Sequence, residues 1–183
     1  MKPIERIMRT ASVIPVLVID DIAKAKPLAE KLVKAGYPVL EVTLRTDCAL
    51  EAIKEMKKIE GAKVGAGTVT NPAELRASID AGAEFIVSPG LTDSLGSAAV
   101  AANIPFLPGI ASAGDIMRGL DLGLTHFKFF PAQVSGGIPA LKALGGPFGQ
   151  CLFCPTGGIT EASAPDWLAL HNVLCVGGSW VAD

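Results

Sequence analysis

Short apolar runs alternate with longer amphipathic segments along the whole chain. The runs are rich in β-branched residues and predict strands, whereas the segments between them begin at turn or capping residues and predict helices. Eight strands are predicted, at residues 13–19, 39–44, 63–68, 85–88, 106–110, 126–130, 151–155 and 173–176. Amphipathic helices are predicted at residues 22–35, 49–58, 72–81, 92–102 and 113–122.

Several residues mark the ends of these helices. Asn71 is a good N-cap residue and Pro72 follows it at the first helical position. Gly36, Gly82 and Gly123 stand where helices are expected to stop. The chain therefore predicts a helix after each strand.

Alternating strands and helices indicate a parallel sheet with right-handed crossovers. Eight strands favour closure into a (β/α)8 TIM barrel over an open doubly wound sheet. No composition break or linker divides the chain, so residues 1–183 are predicted to form one domain. The sequence ends at 178–183, where the helix after the eighth strand should begin, so the barrel is expected to lack its final C-terminal helix.

Composition and charge exclude several classes of function. The chain has 183 residues, half of them hydrophobic, and a formal net charge of −2. No basic stripe or run of aromatic residues favours nucleic-acid binding. The N-terminus has no signal-peptide core and no apolar stretch reaches the roughly 20 residues of a membrane span, so a cytoplasmic protein without a membrane partner is predicted.

The four cysteines are Cys48, Cys151, Cys154 and Cys175. Cys151 and Cys154 have the C-x-x-C spacing of zinc sites, but residues three apart on a strand point to opposite faces and no second ligand pair lies nearby. No metal site is therefore predicted, and reduced buried thiols are the favoured interpretation.

Lys128 lies within an apolar strand candidate, His126-Phe127-Lys128-Phe129-Phe130. Burial disfavours the charged form of an amine, so a desolvated lysine can attack a carbonyl and form a Schiff base. The alternative is a structural lysine whose stem packs against phenylalanine while its head reaches solvent or a carboxylate. The local sequence leaves both interpretations open.

The second strand carries candidate partners for this lysine. Glu41, Thr43 and Arg45 alternate with apolar residues and are predicted to share one face. If that face is the interior, Glu41 can act as a general base and Arg45 can bind a substrate carboxylate. A purely structural Glu41–Arg45 pair is the alternative.

Glycine-rich turns follow the last two predicted strands, at residues 155–158 and 177–179. In a TIM barrel this is a frequent phosphate site, because glycine lets backbone N–H groups approach an anion closely. Gly157 and Gly158 are candidates for this role, and Ser179 can add a hydroxyl donor. Simple tight turns use the same residues.

The third and fourth strands also end in candidate site residues. Thr68 follows Gly67 and can donate to a bound carboxylate, while Gly67 keeps the pocket open. Pro89 lies in the Ser88-Pro89-Gly90 turn after the fourth strand and is a candidate substrate-binding residue. The alternative is that both segments are ordinary strand exits.

Several of these segments together resemble one enzyme family, the 2-keto-3-deoxy-6-phosphogluconate (KDPG) and 2-keto-4-hydroxyglutarate (KHG) aldolases. The resemblance covers essentially the whole chain. It is carried by Glu41-Val42-Thr43-Leu44-Arg45-Thr46, Gly65-Ala66-Gly67-Thr68-Val69, Ser88-Pro89-Gly90-Leu91-Thr92, Phe127-Lys128-Phe129-Phe130-Pro131-Ala132, Phe153-Cys154-Pro155-Thr156-Gly157-Gly158-Ile159 and Gly177-Gly178-Ser179-Trp180.

The resemblance implies a lysine-dependent carbon–carbon lyase that needs no metal or cofactor. Its substrate would be 2-keto-3-deoxy-6-phosphogluconate, cleaved to pyruvate and glyceraldehyde 3-phosphate as in the Entner–Doudoroff pathway, with 4-hydroxy-2-oxoglutarate as a further substrate. The implied fold is a (β/α)8 barrel and the implied assembly is a homotrimer.

The resemblance also implies roles for individual residues. Lys128 would form the Schiff base and Glu41 would be the acid and base. The implied ligands of the substrate are Arg45 and Thr68 for its carboxylate, Gly157, Gly158 and Ser179 for its phosphate, and Thr156 and Phe130 as pocket residues.

Two other classes of function remain open from the residues. A phosphosugar isomerase or epimerase would use the same barrel and phosphate loops but would leave Lys128 without a role. A non-catalytic phosphate-binding module would contain Lys128 and Glu41 as a buried ion pair.

Overall fold

The computed structural model describes residues 1–182. Within them, eight α-helices, the first at the N-terminus, alternate with nine strands, except that two short strands in the middle of the chain follow each other without a helix between them. The strands are β1 (Val13–Leu17), β2 (Val39–Thr43), β3 (Lys63–Gly67), β4 (Ile86–Val87), β5 (Phe106–Leu107), β6 (Gly109–Ile110), β7 (His126–Phe129), β8 (Leu152–Pro155) and β9 (Val176–Gly178). The helices are α1 (Pro3–Thr10), α2 (Ile22–Lys34), α3 (Ala49–Met56), α4 (Pro72–Asp80), α5 (Asp93–Ala101), α6 (Ala113–Asp121), α7 (Gly137–Gly145) and α8 (Ala164–Leu168), and a 3-10 turn follows β9 (Trp180–Ala182).

The strands form two parallel sheets. One has six strands in the order β5-β4-β3-β2-β1-β9, and the other has three in the order β6-β7-β8. The sheets approach each other at both edges: β5 and β6 are separated by Pro108 alone, and isolated bridges link Phe153 to Val173 and Thr156 to Gly177. The predicted α/β fold with parallel strands is confirmed.

Helix boundaries agree with the predicted capping residues. The Asn71 side chain accepts hydrogen bonds from the N–H groups of Ala73 and Glu74, each at 3.0 Å, at the start of α4. Gly36, Gly82 and Gly123 have φ values of 91°, 92° and 73°, the left-handed conformation that ends a helix and suits glycine.

Two predicted strands were wrong in detail. The predicted strand 106–110 is divided between β5 and β6 because Pro108 has no N–H group to donate to a neighbouring strand. The predicted strand 173–176 begins only at Val176 and continues through Gly177 and Gly178, which were taken for a turn, because these residues pair with β1. The predicted helices did not include α1, α7 and α8.

The buried apolar residues form three clusters. Two of them lie between the strands and the helices that follow them. The third, here called the α1 cluster, joins Ile4, Ile7 and Met8 of α1 to residues on the opposite face of the strands, which include Ile14, Val39, Phe85, Val87, Leu107, Cys154 and Cys175. Helix α1 therefore covers the strand face that turns away from the other helices.

Strand alternation places Cys151 and Cys154 as predicted. Cys151 belongs to a cluster with α7 and α8, whereas Cys154 belongs to the α1 cluster. All four cysteines are unpaired thiols. As for the membrane, none of the helices within residues 1–182 has the length and apolar character that crossing it requires.

Candidate active site

Lys128 on β7 and Glu41 on β2 form a buried ion pair. The Lys128 Nζ atom lies 3.0 Å from Glu41 Oε1, and the two residues are 6% and 3% exposed. Phe127 and Phe129, the neighbours of Lys128, pack toward the helices, so alternation turns Lys128 to the face of the α1 cluster. Burial of two opposite charges is costly unless they pair, and this contact satisfies that requirement.

Gly67 makes room for the Glu41 carboxylate. A Cβ atom at Gly67 would overlap Glu41 Oε1 and would lie 2.7 Å from its Cγ. Only glycine at the end of β3 therefore allows Glu41 its present conformation. That Gly67 keeps a substrate pocket open stays a prediction.

An aromatic ring lies beside the amine. The Lys128 Nζ atom is 5.3 Å from the centroid of the Phe130 ring, within the range of a cation–π contact. Phe130 is partly buried and follows β7 directly. The structure thus brings three predicted site residues together: Lys128, Glu41 and Phe130.

Two thiols occupy the same strand face as the ion pair. Cys154 on β8 is in register with Lys128 on β7. Contact with Cys154, burial and the nearby Glu41 charge raise the pKa of the Cys175 thiol well above its usual value. Cys175 is therefore a neutral, weakly reactive group. Sequence analysis identified both thiols as buried but missed their proximity to the pair, which strand alternation and register could have indicated.

Arg45 and Thr68 follow β2 and β3 at their carboxyl ends. Arg45 is exposed and makes no ion pair with any residue in 1–182, so the alternative of a Glu41–Arg45 pair is not observed. Thr68 has a φ of 58°, an uncommon conformation for a β-branched residue, and such outliers concentrate at functional sites.

Pro89 follows β4 and lies against the strand beside Lys128. A Cβ at Gly109 would overlap the Pro89 carbonyl oxygen, and Gly109 is in register with Lys128. The Ser88 hydroxyl donates a 2.7 Å hydrogen bond to the Gly90 carbonyl and holds this turn in place.

The predicted phosphate loops lie at the carboxyl ends of β8 and β9. Gly157 and Gly158 have φ values of 102° and 74°, which side chains rarely adopt, and Ser179 is exposed directly after β9. Thr156 is buried, and its side chain lies where a Cβ at Gly177 would be. The two loops are therefore neighbours.

A segment after β7 supports the β8 loop. The Gln133 N–H donates to the Gly157 carbonyl at 3.0 Å, and the Ala132 N–H donates to the Thr156 carbonyl at 2.8 Å. A Cβ at Gly158 would lie 2.7 Å from Gln133 Cβ. Sequence analysis missed this support, because contacts between two loops leave no local pattern.

All ten predicted site residues thus lie on a strand or just after one at its carboxyl end. Lys128 directly contacts both Glu41 and Phe130. The structure places Arg45, Thr68, Pro89, Thr156, Gly157, Gly158 and Ser179 at the same ends of the strands. An amine, a carboxylate, a guanidinium and backbone N–H groups are thus carried on the strands or at their carboxyl ends.

The sequence matches a known protein family over nearly its whole length. The family sequence model of the KDPG and KHG aldolases matches residues 4–183. The chain belongs to the KDPG and KHG aldolase family.

Individual aldolases agree with this assignment. The chain is 61% identical over 181 residues to the 2-dehydro-3-deoxy-phosphogluconate aldolase of Zymomonas mobilis, covering 99% of this chain and 87% of that protein. A crystal structure of the Z. mobilis ZM4 KDPG aldolase with 3-phosphoglycerate has a TM-score of 0.96 and 62% identity, covering 97% of this chain and 85% of that one. The KDPG aldolase of Legionella pneumophila, with pyruvate captured at low pH as a covalent carbinolamine intermediate, has a TM-score of 0.95 and 46% identity, covering 99% and 88%.

Proposed function

We propose that the chain is a class I aldolase that cleaves 2-keto-3-deoxy-6-phosphogluconate to pyruvate and glyceraldehyde 3-phosphate. The same chemistry would cleave 4-hydroxy-2-oxoglutarate to pyruvate and glyoxylate. The observation that carries the proposal is the buried Lys128–Glu41 pair, with its 3.0 Å contact. An isomerase or epimerase would leave this amine without a role, and a non-catalytic binding module would hold the same ion pair but would form no covalent adduct with pyruvate.

The reaction begins with a nucleophilic attack. Transfer of one proton from the Lys128 ammonium to Glu41 gives a free amine and a neutral carboxylic acid. The amine attacks the C2 ketone of the substrate, and the carbinolamine loses water, with Glu41 supplying the proton to the departing hydroxyl. The product is a protonated imine between Lys128 and C2.

The imine then accepts the electrons of the bond that breaks. Glu41 takes the proton of the C4 hydroxyl, the C3–C4 bond cleaves, and the bond electrons move into the imine to form an enamine. C4 becomes the carbonyl carbon of the aldehyde, which then leaves the site. Protonation of the enamine at C3 gives the pyruvate imine, and water releases pyruvate and the Lys128 amine.

The other predicted residues would hold the two ends of the substrate. Arg45 and Thr68 would bind the carboxylate, since guanidinium and hydroxyl groups both donate to it. The N–H groups of Gly157 and Gly158 and the Ser179 hydroxyl would bind the phosphate. Thr156, Pro89 and Phe130 would line the pocket between these ends.

Trapping with borohydride tests the aldolase proposal. The protein is incubated with pyruvate and sodium borohydride and analysed by peptide mass spectrometry, together with Lys128→Ala and, as a control, Lys142→Ala on the exposed surface of α7. A reduced pyruvate adduct on the Lys128 peptide, absent only from Lys128→Ala, supports the proposal. A folded wild-type protein that forms no adduct refutes it.

We also propose that the two sheets belong to one closed (β/α)8 barrel in a single domain, residues 1–183. Support comes from the single-residue gap at Pro108 and from the bridges between Phe153 and Val173 and between Thr156 and Gly177. A crystal structure in which β8 and β9 are not adjacent would contradict it.

The protein is proposed to act in the cytoplasm, because its four unpaired cysteines suit a reducing compartment.

A homotrimer is the proposed assembly. Two large apolar side chains, Val100 and Met117, are about half exposed, and an apolar groove between α4 and α5 is lined by Leu75, Ile79 and Ala98. Light scattering should give a mass near three times the 18.8 kDa of one chain.

A further inference from the structure

Helix α1 is separated from the Lys128–Glu41 pair by one layer of side chains, on the side of the amino ends of the strands. Val39 precedes Glu41 by two residues on β2, and His126 precedes Lys128 by two residues on β7, so all four share one strand face. Two residues of a strand span about 6.6 Å. Val39 packs against α1 in the α1 cluster, so this helix closes the site from the amino ends of the strands.

His126 faces α1 from inside this layer. Its side chain is 5% exposed, its Nδ1 atom lies 3.1 Å from the Thr125 hydroxyl, and its Nε2 atom lies 3.5 Å from Glu5 Oε2 on α1. Within residues 1–182, Nε2 has no hydrogen-bond partner. If the Thr125 hydroxyl donates to Nδ1, the imidazole proton is on Nε2 and faces the Glu5 carboxylate.

The charged groups around His126 lie on α1 or on Lys2, the residue directly before it. Glu5 also accepts a 2.8 Å hydrogen bond from Arg9, and the Lys2 ammonium donates to the Gly123 carbonyl at 2.5 Å. Burial lowers the pKa of His126, with Lys2 and Arg9 adding to this and Glu5 opposing it. Beside them, burial raises the pKa of the Cys151 thiol, so it stays neutral at pH 7.

We propose that Glu5 and His126 are positioning residues for the aldolase reaction: their contact holds α1 against the layer beneath Lys128 and Glu41. The inference rests on the proposed function. Water entering below the pair would solvate both charges and weaken their interaction, because the attraction between charges falls as the dielectric constant rises. A seated α1 excludes that water and keeps the amine and carboxylate in contact.

Two measurements test this on the full chain. The first is hydrogen exchange of the α1 amides, expressed as protection factors, and the second is the rate of pyruvate trapping by borohydride. The variants are His126→Leu, which removes the polar contact, His126→Gln, which can still donate to Glu5, and Glu5→Gln. Glu51→Gln is the matched control, since Glu51 pairs with Lys54 at 2.8 Å on the exposed side of α3.

His126→Leu is expected to lower α1 protection and the trapping rate, each by about fivefold, through loss of the 3.5 Å polar contact with Glu5. Glu5→Gln should lower both as well, whereas His126→Gln and Glu51→Gln should keep wild-type values. In the wild type, α1 protection should fall as the pH drops below about 6.5, because the His126 imidazole freed by opening of α1 takes up a proton more readily than the buried one. In His126→Gln it should stay level.

Other results would overturn the proposal. Unchanged α1 protection in both His126→Leu and Glu5→Gln would do so, as would loss of trapping in His126→Gln equal to that in His126→Leu. If His126→Leu does not fold, Glu5→Gln decides, with Arg9→Gln showing how much of its effect comes from the lost Glu5–Arg9 pair within α1. A wild-type protein that gives no adduct would refute both the aldolase activity and the positioning role, whereas an adduct with unresponsive α1 protection would refute the positioning role only.

Discussion

Lys128 and Glu41 are 87 residues apart in the chain, yet Nζ and Oε1 lie 3.0 Å apart in the interior. The two residues come from different sheets, Lys128 from the three-stranded and Glu41 from the six-stranded one. Neither charge has much access to water, so each depends on the other.

Replacing one member of this pair should affect both stability and activity. Glu41→Gln leaves the Lys128 charge buried without a counter-charge, which is expected to lower the free energy of unfolding by about 3 kcal/mol. Loss of the proposed base should slow pyruvate trapping by about 10²-fold or more. Urea unfolding and trapping rates check the two effects, and a variant with wild-type trapping would show that Glu41 is not the base.

Gly67→Ala should disturb the site with little effect elsewhere. The new Cβ would overlap Glu41 Oε1, so the carboxylate must move away from Lys128. The trapping rate is expected to fall about tenfold, since catalytic groups tolerate little displacement. Gly149→Ala is the control because a Cβ at Gly149 has no neighbour within 4 Å. Equal rates in the two variants would contradict the prediction.

Thr68→Gly should separate conformational strain from function. Thr68 has a φ of 58°, and a left-handed conformation costs a residue with a side chain about 1 kcal/mol. Glycine removes that cost but gains freedom in the unfolded chain, so the free energy of unfolding should change by less than about 1 kcal/mol. Loss of the hydroxyl should raise the pyruvate concentration needed for half-maximal trapping.

Asn103→Gly is the matched control for this change. Asn103 has a φ of 52° and lies after α5, at the amino end of β5. Its variant should keep the wild-type dependence on pyruvate. A similar change in both variants would show that backbone freedom, and not the Thr68 hydroxyl, is responsible.

Ser179→Ala should discriminate between substrates. The side chain is exposed after β9, so its loss should cost little stability. The KM for 2-keto-3-deoxy-6-phosphogluconate is expected to rise about tenfold, the value of one hydrogen bond to a charged group, while pyruvate trapping is unchanged. Steady-state kinetics with the phosphorylated substrate and with 4-hydroxy-2-oxoglutarate measure the difference. An equal loss with both substrates would argue against a phosphate site at Ser179.

The Cys175 thiol should make stability fall at alkaline pH. Contact with Cys154 and burial raise its pKa in the folded protein, whereas in the unfolded chain it titrates near its usual value of about 8.5. Above that pH the unfolded chain releases a proton that the folded protein keeps, so the free energy of unfolding decreases as pH rises.

Urea unfolding between pH 8 and pH 10 measures this slope. Cys175→Ala should reduce the slope, and Cys48→Ala, which leaves Cys175 in place, should retain the wild-type slope. A slope that is equal in all three proteins would show that Cys175 does not contribute.

Local sequence patterns predicted much of the fold and both members of the Lys128–Glu41 pair. Alternation of polar and apolar residues placed Glu41 and Lys128 on strands, and an ammonium within a run of phenylalanines indicated a special role. The Asn71 cap was equally visible, because it depends on neighbouring residues alone.

Features that depend on distant contacts were harder to predict. The shift of the last strand to Val176 follows from its register with β1, which no residue near Val176 encodes. Helix α1 escaped prediction because its eight residues give a short pattern, and its role as a cover depends on strands far along the chain. The Glu5–His126 contact was missed for the same reason.

The division of the pair between two sheets has a consequence for folding. When only one sheet has formed, either the Lys128 amine or the Glu41 carboxylate is held in folded structure, but not both. Long-range contacts of this kind form slowly, since the loop between them must close first. During refolding, the return of pyruvate trapping would therefore time the joining of the two halves of the chain, which a signal from secondary structure alone would not detect.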